Sequence, residues 1–568
     1  MPPKAAKAAA PKAASDAKKS AATKTSSKAT SKTAAASKAT TSKAAAKATK
    51  KDEKPASARA KSVEKTADEP MTNGAPASKR KASETESEHD EDVVMEEPQA
   101  KKTKIEDAPV REARPKAPVK AKKTAHVAIG KKINDAPTQV LDIYVFGEGT
   151  SGELGLGSKR ANGKKPIDVK RPRLNDNLSA KTVGVVQIAC GGMHVVALTR
   201  DNKILTWGVN DQGALGRDTN WDGGLRDADK AEDSDSEDED DTGINPKEST
   251  PTALSEEDFA PGTKFVQVEA SDSASFALTE DGRVYGWGTF RSSDGILGFT
   301  ETVRIQSRPA LIPALKNIKA LASGANHVLA LDHKGNVVAW GCGQQNQLGR
   351  RIIERNKMSS LIPQGVGLPR GKIAKIACGS YHSFAIDKTG AVWGWGLNNF
   401  GEIGVENSAG EDDAVILKPV KISFLADHTI TDIAGGIHHS LACSSKGELF
   451  AWGRIDGYQV GFEAEAVAKV DEDYVIRDEK GVSDIVAVSA GTDNSFAISK
   501  DGKVYSWGFS SNYQTGQGTL DDIHVPTVID NSAIRDKKII AAGAGGQFSI
   551  LIGVPEEATT NGEVNGTN

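Results

Sequence analysis

The stretch IAKIACGSYHSFAIDKTGAVWGWGLNNFGEIG, Ile373–Gly404, decides the fold. Apolar and polar residues alternate within it over short runs, and glycines and the turn sequence Asp-Lys-Thr-Gly separate those runs. A period of two is typical of strands with one buried face, and such turns join neighbouring antiparallel strands. The stretch therefore predicts a series of short antiparallel β-strands.

The same unit recurs along the chain, and an aromatic residue followed by glycine marks each copy. Successive copies are 53 to 80 residues apart, a period suited to the blades of a propeller. The seven pairs are Phe146-Gly147, Trp207-Gly208, Trp287-Gly288, Trp340-Gly341, Trp395-Gly396, Trp452-Gly453 and Trp507-Gly508.

The two ends of the repeat region complement each other. The first unit, DIYVFGEGTSGELGLG (142–157), lacks the upstream half of the repeat, and the last segment, IIAAGAGGQFSILIGV (539–554), supplies only that half. One blade shared between the termini closes a ring and removes its open edge. We therefore predict an all-β, seven-bladed propeller with four-stranded blades over residues 137–554.

Composition separates this body from its flanks. Residues 1–50 contain 12 Lys and a single acid, Asp16, and a segment without apolar periodicity cannot offset the entropy of ordering. We predict a disordered basic tail over residues 1–136 and a disordered C-terminal tail over 555–568. The longest repeat interval contains an acidic insertion at about 222–248, which includes Asp227–Asp241. It could contact the basic arm or histones, or only repel DNA.

Several function classes lack their sequence signals. No run of about 18 apolar residues suggests a membrane span, and the N-terminus has no apolar signal core. The four cysteines stand singly, without metal-ligand spacing. No phosphate-binding loop or nucleophile–base set stands outside the repeat. We expect no cofactor, no metal, no membrane contact and no covalent chemistry.

The repeat motifs ACGxxHSxAL, DGxVxxWG and NxxGxLG resemble those of the regulator of chromosome condensation family of seven-bladed propellers, over residues 138–554. GTFRSSDGILG (288–298), GQQNQLGRRI (343–352) and VKRPRLN (169–175) are similar to the branch that exchanges guanine nucleotides on the small GTPase Ran, and to its fungal members. The resemblance implies a chromatin-bound nuclear exchange factor that stabilises nucleotide-free Ran and so supports nucleocytoplasmic transport and mitosis. The alternative is a propeller adaptor on chromatin or in a ubiquitin ligase, without exchange activity.

One loop departs from the repeat. WGTFRSSDGILG, Trp287–Gly298, is two residues longer than its five sibling loops, which predicts a hairpin extended into solvent. The resemblance implies that this finger, called the β-wedge, presses on the GTPase beside its phosphate-binding loop. Its candidate contact residues are Phe290, Arg291, Ser292, Ser293 and Asp294.

Other candidates depend on their place in the repeat. His194, His327, His382 and His439 recur at one blade position, and such repetition favours a structural role. In the wedge blade Ala274 replaces this histidine, and Ser271-Asp272 stands where other blades have Gly-Gly, Gly-Ser or Gly-Ala, so that a glycine is lost and a carboxylate gained. The resemblance implies GTPase contacts for Asp272, for Asn326, where the family often has Asp, and for His438 or His439.

Basic residues predict three further contacts. Lys4, Lys7, Lys12, Lys18 and Lys19 belong to an arm expected to bind DNA without sequence preference, since neutralised phosphates release counterions. Lys79, Arg80 and Lys81, with Lys101, Lys102 and Lys104, resemble a two-part signal for a nuclear import carrier. The family resemblance implies that Arg350, Arg351 and Arg355 grip the acidic patch of nucleosome histones.

Overall fold

The repeated unit folds into a blade each time it occurs. The computed structural model describes residues 128–222, 242–406, 409–411, 414–462, 475–476 and 482–556, with backbone alone for 475–476. Within these residues the strands form seven four-stranded antiparallel sheets and one separate two-stranded hairpin. The seven-bladed propeller predicted from the sequence is confirmed.

The blades follow one another in the order of the sequence, and the four strands named for each blade form one sheet. The chain begins with β1 (Asp142–Gly147) and β2 (Val169–Leu174). Blade I contains β3 (Val185–Cys190), β4 (His194–Thr199), β5 (Ile204–Gly208) and β6 (Thr252–Ala253). Blade II contains β7 (Phe265–Ala270), β8 (Ala274–Thr279), β9 (Val284–Gly288) and β12 (Gln306–Leu311), with the hairpin β10 (Phe290–Ser292) and β11 (Gly295–Gly298) between its last two strands. Blade III contains β13 (Ile318–Ser323), β14 (His327–Asp332), β15 (Val337–Gly341) and β16 (Gln364–Gly365).

The remaining strands complete the ring. Blade IV contains β17 (Ile373–Cys378), β18 (His382–Asp387), β19 (Val392–Leu397) and β20 (Val415–Lys421). Blade V contains β21 (Ile430–Gly435), β22 (His439–Ser444), β23 (Leu449–Gly453) and β24 (Val475–Ile476). Blade VI contains β25 (Ile485–Ala490), β26 (Asn494–Ser499), β27 (Val504–Gly508) and β28 (Ile523–Val528). The last strands, β29 (Ile539–Ala544) and β30 (Phe548–Gly553), pair with β1 and β2 as the closing blade.

The closing blade joins the two ends of the described chain. Strand β1 pairs with β30 over its whole length, from Asp142 opposite Gly553 to Gly147 opposite Phe548. Its order is β2-β1-β30-β29, so each end supplies two strands. A shared blade leaves no long sheet edge exposed between first and last units, which protects the ring against edge-to-edge pairing.

Short helices lie in the connections between strands. They are the α-helix Pro246–Ser249 and the 3-10 helices Asp176–Leu178, Asp211–Gly213, Glu256–Asp258 and Glu354–Leu361. The α-helix lies within the end of the predicted acidic insertion, where Ser249 is fully buried. The structure therefore packs this end of the insertion against the propeller, whereas residues 223–241 lie outside the described residues.

Four of the repeated histidines join neighbouring blades. The Nε2 atoms of His194, His327, His382 and His439 lie 2.8, 2.8, 2.8 and 3.0 Å from the hydroxyls of Ser275, Ser383, Ser440 and Ser495, each in the next blade. Each serine also donates to a backbone carbonyl, as Ser383 does to Gln347 at 3.0 Å. The hydroxyl therefore accepts from Nε2–H, and the histidine is neutral. We call these pairs the latches; they agree with the structural role predicted for the repeated histidines.

The glycine three residues before each histidine leaves room for the latch. A Cβ on Gly379 would lie 2.2 Å from the His382 ring, closer than any real contact. In blade II the histidine is Ala274, and the next blade offers Val328 instead of a serine; both belong to one hydrophobic cluster. Phe548 and Val195 form the corresponding apolar seam at the closing blade. The replacement of histidine by Ala274 therefore leaves no latch serine without its partner, because Val328 stands in the serine position.

The segment before the predicted propeller boundary at residue 137 also contacts the ring. Asn134 donates from Nδ2 to the backbone oxygens of Thr279 and Ile318, at 3.2 and 2.9 Å, and is 9% exposed. The Gly130 amide donates to Asp281 Oδ2 at 2.7 Å. Packed contacts with the propeller therefore begin before residue 137, because a buried polar side chain ties this segment to blades II and III.

Candidate functional site

The extended loop of blade II forms an antiparallel hairpin, strands β10 and β11. Ser292 pairs with Gly295 across a turn made by Ser293 and Asp294, and Phe290 pairs with Gly298. Gly295 adopts a φ of 100°, which favours glycine. Within the described residues the other six blades carry no such hairpin. We call this hairpin the wedge.

Phe290 anchors the wedge in the core. It is fully buried, and its ring centroid lies 6.0 Å from Phe276 and 6.4 Å from Phe299. The cluster fills the seam beside Ala274, where a latch histidine would otherwise stand. The prediction that Phe290 contacts a partner is therefore wrong, since a side chain with no exposed surface cannot reach one. The reachable part of the wedge begins at Arg291.

Asn326 of the neighbouring blade holds the base of the wedge. Its Oδ1 accepts from the Arg291 amide at 2.7 Å, and its Nδ2 donates to Asp272 Oδ2 at 3.3 Å. The Arg291 guanidinium forms a 2.8 Å salt bridge with Asp211 in blade I. Three candidates that stand apart in sequence are thus brought together, and Asp211, which the sequence analysis missed, joins them.

Blade III supports the tip of the wedge. Gln344 accepts from the Ser293 amide at 2.9 Å and donates to the Ser293 hydroxyl at 2.8 Å. Lys357 forms a salt bridge of 2.6 Å with Asp294 and one of 2.9 Å with Glu354. Hydrogen bonds and charge from these carboxylates raise the pKa of Lys357, and Lys357 lowers the pKa of Asp294. Sequence reasoning missed Gln344 and Lys357, although Gln344 lies within the motif GQQNQLGRRI and Lys357 follows it by five residues.

Asp272 lies at the mouth of the central channel. A cavity of about 160 Å³ there is lined by the turns between the first two strands of the blades. The Asp272 carboxylate reaches solvent but is surrounded by protein, and this desolvation raises its pKa to about 6, while Arg291 and Asn326 act in the opposite direction. A cation that approaches this carboxyl group lowers its pKa and favours the charged form.

The two histidines of blade V have different surroundings. His439 is fully buried in its latch with Ser495. His438 keeps 19% of its side chain exposed, lies 3.3 Å from the buried Glu402 carboxylate and packs against Phe400 at 4.8 Å between ring centroids. Between the two candidates, the structure excludes His439 from surface contact and leaves His438. His438 also precedes its latch histidine, as Asn326 does in blade III, so both lie on the same rim.

The three candidate arginines differ in how far their side chains are exposed to solvent. Arg350 donates to the carbonyls of Ala339, Ser360 and Ile362 at 2.8, 3.3 and 3.2 Å, and burial lowers its pKa to about 10. These three bonds hold its guanidinium against the loop, which favours a structural role for Arg350, and its contact with an acidic partner stays a prediction. Arg351 and Arg355 are exposed, and they lie in the same connection of blade III as Gln344 and Lys357.

The other predicted site residues, from Lys4 to Lys104, lie outside the described residues, and their roles stay predictions. In the part of the chain that the structure describes, no helix is long and apolar enough to cross a membrane. Over the same residues, no group of three or more His, Cys, Asp or Glu side chains is placed to hold a metal ion.

Comparisons with known proteins agree with this geometry. The family model for the RCC1-like domain matches residues 142–551. The chain is 42% identical over 437 residues to guanine nucleotide exchange factor SRM1 of Saccharomyces cerevisiae, covering 73% of this chain and 88% of that protein. It is similar to the crystal structure of Prp20p from the same yeast, described with its binding to Gsp1p and histones, at a TM-score of 0.65 and 39% identity, covering 74% of this chain and 94% of that one. It is also similar to yeast RCC1 (Prp20) bound to Kap60, at a TM-score of 0.64 and 37% identity, covering 78% and 97%.

Proposed function

The chain belongs to the RCC1-like domain family, and on this basis we propose that it is a chromatin-associated guanine-nucleotide exchange factor for the small GTPase Ran. The braced wedge carries the proposal. A loop that only turned the chain would need neither a buried anchor such as Phe290 nor supports from three blades. This construction presents a rigid finger next to Asp272, on the rim that also carries His438.

An exchange factor of this kind makes and breaks no covalent bond. It binds the nucleotide-free GTPase more tightly than the loaded form, and linkage makes that preference equal to the loss of nucleotide affinity. If the nucleotide has a picomolar dissociation constant, contacts to the empty form must supply about 16 kcal/mol. A broad propeller face with a preorganised finger suits this demand, because little entropy is lost when rigid groups bind.

Different residues position the wedge and contact the GTPase. Phe290 and Asn326 set the direction of the wedge, and Gln344 and Lys357 fix its tip. The tip presents Asp294, which repels phosphate or competes for the lysine that holds it. Asp272 and His438 contact the GTPase on the adjacent rim.

Chromatin and import contacts complete the proposal. Arg351 and Arg355 grip acidic histone surfaces, since a guanidinium fork pairs two carboxylate oxygens. The basic arm binds DNA phosphates, and the signal at Lys79–Lys81 and Lys101–Lys104 is bound by an import carrier. The relatives described as binding histones and Kap60 support these assignments, which together imply a nuclear location and a role in transport and mitosis.

Stopped-flow release of a fluorescent guanine nucleotide from purified Ran tests the proposal. The intact chain should accelerate release. Deletion of Ser292 and Ser293, which restores the length of the sibling loops, should slow the stimulated release at least tenfold, about 1.4 kcal/mol of barrier. Replacing both serines with alanine keeps the length of the hairpin and serves as the control.

Two results would contradict the proposal. Failure of the intact chain to accelerate release would exclude exchange activity on Ran. A folded deletion variant that binds Ran and releases nucleotide at the normal rate would exclude the wedge as the exchange element.

A further inference from the structure

A groove on the closing blade shares no lining residue with the wedge site. It is a cavity of about 710 Å³ between the loop at residues 162–168, strand β2 and the turn at 531–533. Five cations line it, against only Asp168 and Asp176; they are Lys164, Lys165, Lys170, Arg171 and Arg173. We call this site the closing-blade groove. Its lining is strongly cationic.

The two carboxylates that line the groove offset only part of the charge of its five cations, and of the two Asp176 acts on Arg173. Arg171 donates to the backbone oxygen of Asp530 at 3.3 Å, and Arg173 donates to that of Lys165 at 2.9 Å. The Lys170 ammonium lies 5.3 Å from the centre of the Tyr513 ring. These contacts orient the side chains without neutralising them, and no salt bridge engages the five cations among the described residues. The groove therefore has the charge needed to bind a polyanion.

A strongly acidic part of the same chain ends close to the groove. Residues 223–241, which we call the acidic segment, contain ten Asp and Glu against Arg226 and Lys230. The next residue, Thr242, donates from Oγ1 to the Ser158 carbonyl at 2.5 Å. Ser158 leads into the hairpin in which Ala161 pairs with Lys164, at the edge of the groove.

The length of the acidic segment allows contact. Nineteen residues fixed at both ends can extend about 30 Å from their anchors, at about 3.3 Å per residue. Tethering gives the segment an effective concentration on the order of millimolar. A weak electrostatic contact is enough for occupancy at that concentration.

We propose that the closing-blade groove binds the acidic segment of its own chain, which competes there with nucleic acid and other polyanions. The inference goes beyond exchange activity and does not depend on it. Opposite charge and proximity supply the attraction, and screening by salt weakens it.

Binding of a labelled peptide with the sequence of residues 223–241 tests the inference. The recipient is the full chain in which the ten acids of the segment are replaced with Asn or Gln, so that the groove is open. This chain should bind the peptide at least tenfold more tightly than the wild-type chain, whose own segment competes. Added salt should weaken binding.

Matched variants locate the peptide on the protein. In the neutralised background, Lys164→Gln, Lys165→Gln and Lys170→Gln together should weaken binding at least tenfold. Lys316→Gln, Lys334→Gln and Lys446→Gln remove the same charge from exposed positions elsewhere and should change it less than twofold. The basic arm is present in every variant, so a difference between the groove and control variants cannot come from the arm. In wild-type chain, carbodiimide should cross-link groove lysines, but not Lys334, to the segment.

Three results would overturn the inference. The first is equal peptide binding by groove and control variants. The second is peptide affinity that does not differ between the wild-type and neutralised chains. The third concerns a 20-base-pair DNA duplex. If the groove substitutions weaken its binding, and the wild-type and neutralised chains bind it equally, the groove is occupied by nucleic acid and not by the acidic segment.

Discussion

Acidification should destabilise the propeller through its latches. Burial lowers the pKa of His327 to about 3 and those of His194 and His439 to about 4, and it lowers that of His382 well below the ordinary value. An unfolded chain binds a proton at each histidine near pH 6.5, while the folded chain keeps the ring neutral. Latch stability is therefore complete above that pH and is lost as pH falls towards 4. Between pH 6.5 and 5 each latch loses about 1.6 kcal/mol.

A buried carboxylate acts in the opposite direction. Burial raises the pKa of Glu269 to about 7, so the folded chain takes up this proton before the unfolded chain does. Its uptake stabilises the fold as pH falls and offsets about one histidine. Asp272, whose pKa is raised to about 6, offsets about 1 kcal/mol more. The free energy of unfolding should then drop by about 4 kcal/mol between pH 6.5 and 5.

Substitution of one latch histidine measures how much that residue contributes to the dependence of stability on pH. Asn494 occupies the latch position of blade VI, where its amide donates to Ser549 Oγ at 3.4 Å and to the Gln514 carbonyl at 3.2 Å. His382→Asn should therefore fold, with a loss of about 1–2 kcal/mol at pH 7.5 from the weaker hydrogen bond and packing. Its further loss between pH 6.5 and 5 should be smaller than that of the wild type by about 1.6 kcal/mol.

Urea unfolding followed by tryptophan fluorescence at pH 7.5, 6.5 and 5 measures these differences. Six of the eight tryptophans are fully or almost fully buried at the blade seams and report on unfolding; they are Trp207, Trp287, Trp340, Trp395, Trp452 and Trp507. His524→Asn, at an exposed histidine outside the latches, is the control. If His382→Asn and the wild type show the same dependence on pH, titration of the latches does not set acid stability.

Four other changes test the remaining assignments. Phe290→Leu should keep the rate of nucleotide release within about threefold of the wild type and lower the free energy of unfolding by about 1 kcal/mol, because the ring is an anchor. If the folded variant no longer binds Ran, Phe290 contacts the GTPase directly. Arg351→Glu with Arg355→Glu should lower nucleosome affinity at least tenfold in a gel-shift assay while exchange on free Ran persists, and parallel loss of both would indicate a damaged loop. Deleting residues 1–70 should reduce DNA affinity and flatten its dependence on salt, measured by fluorescence anisotropy; an unchanged salt slope would exclude the arm. Replacing the six basic residues at 79–81, 101, 102 and 104 with Ala should reduce nuclear accumulation in imaging, and normal import would argue against the signal.

The sequence by itself determined the ring. Strand periodicity, the spacing of aromatic-Gly pairs and the split unit at 142–157 and 539–554 are local signals that repeat, so their meaning does not depend on distant contacts. The extra length at Ser292 and Ser293 located the wedge for the same reason. The recurrence of His194, His327, His382 and His439 also indicated structural roles before their partners were known.

Only the tertiary structure decided which candidates are accessible. Phe290, His439 and Arg350 have residue types suited to binding, but each is occupied by a neighbour that is distant in sequence or concealed by the loop geometry. Conversely, Asp211, Gln344 and Lys357 gained their roles from the contact between adjacent blades, which no local pattern records. A repeat specifies its own strands through short-range pairing, whereas access to a partner depends on how side chains from different blades share one seam.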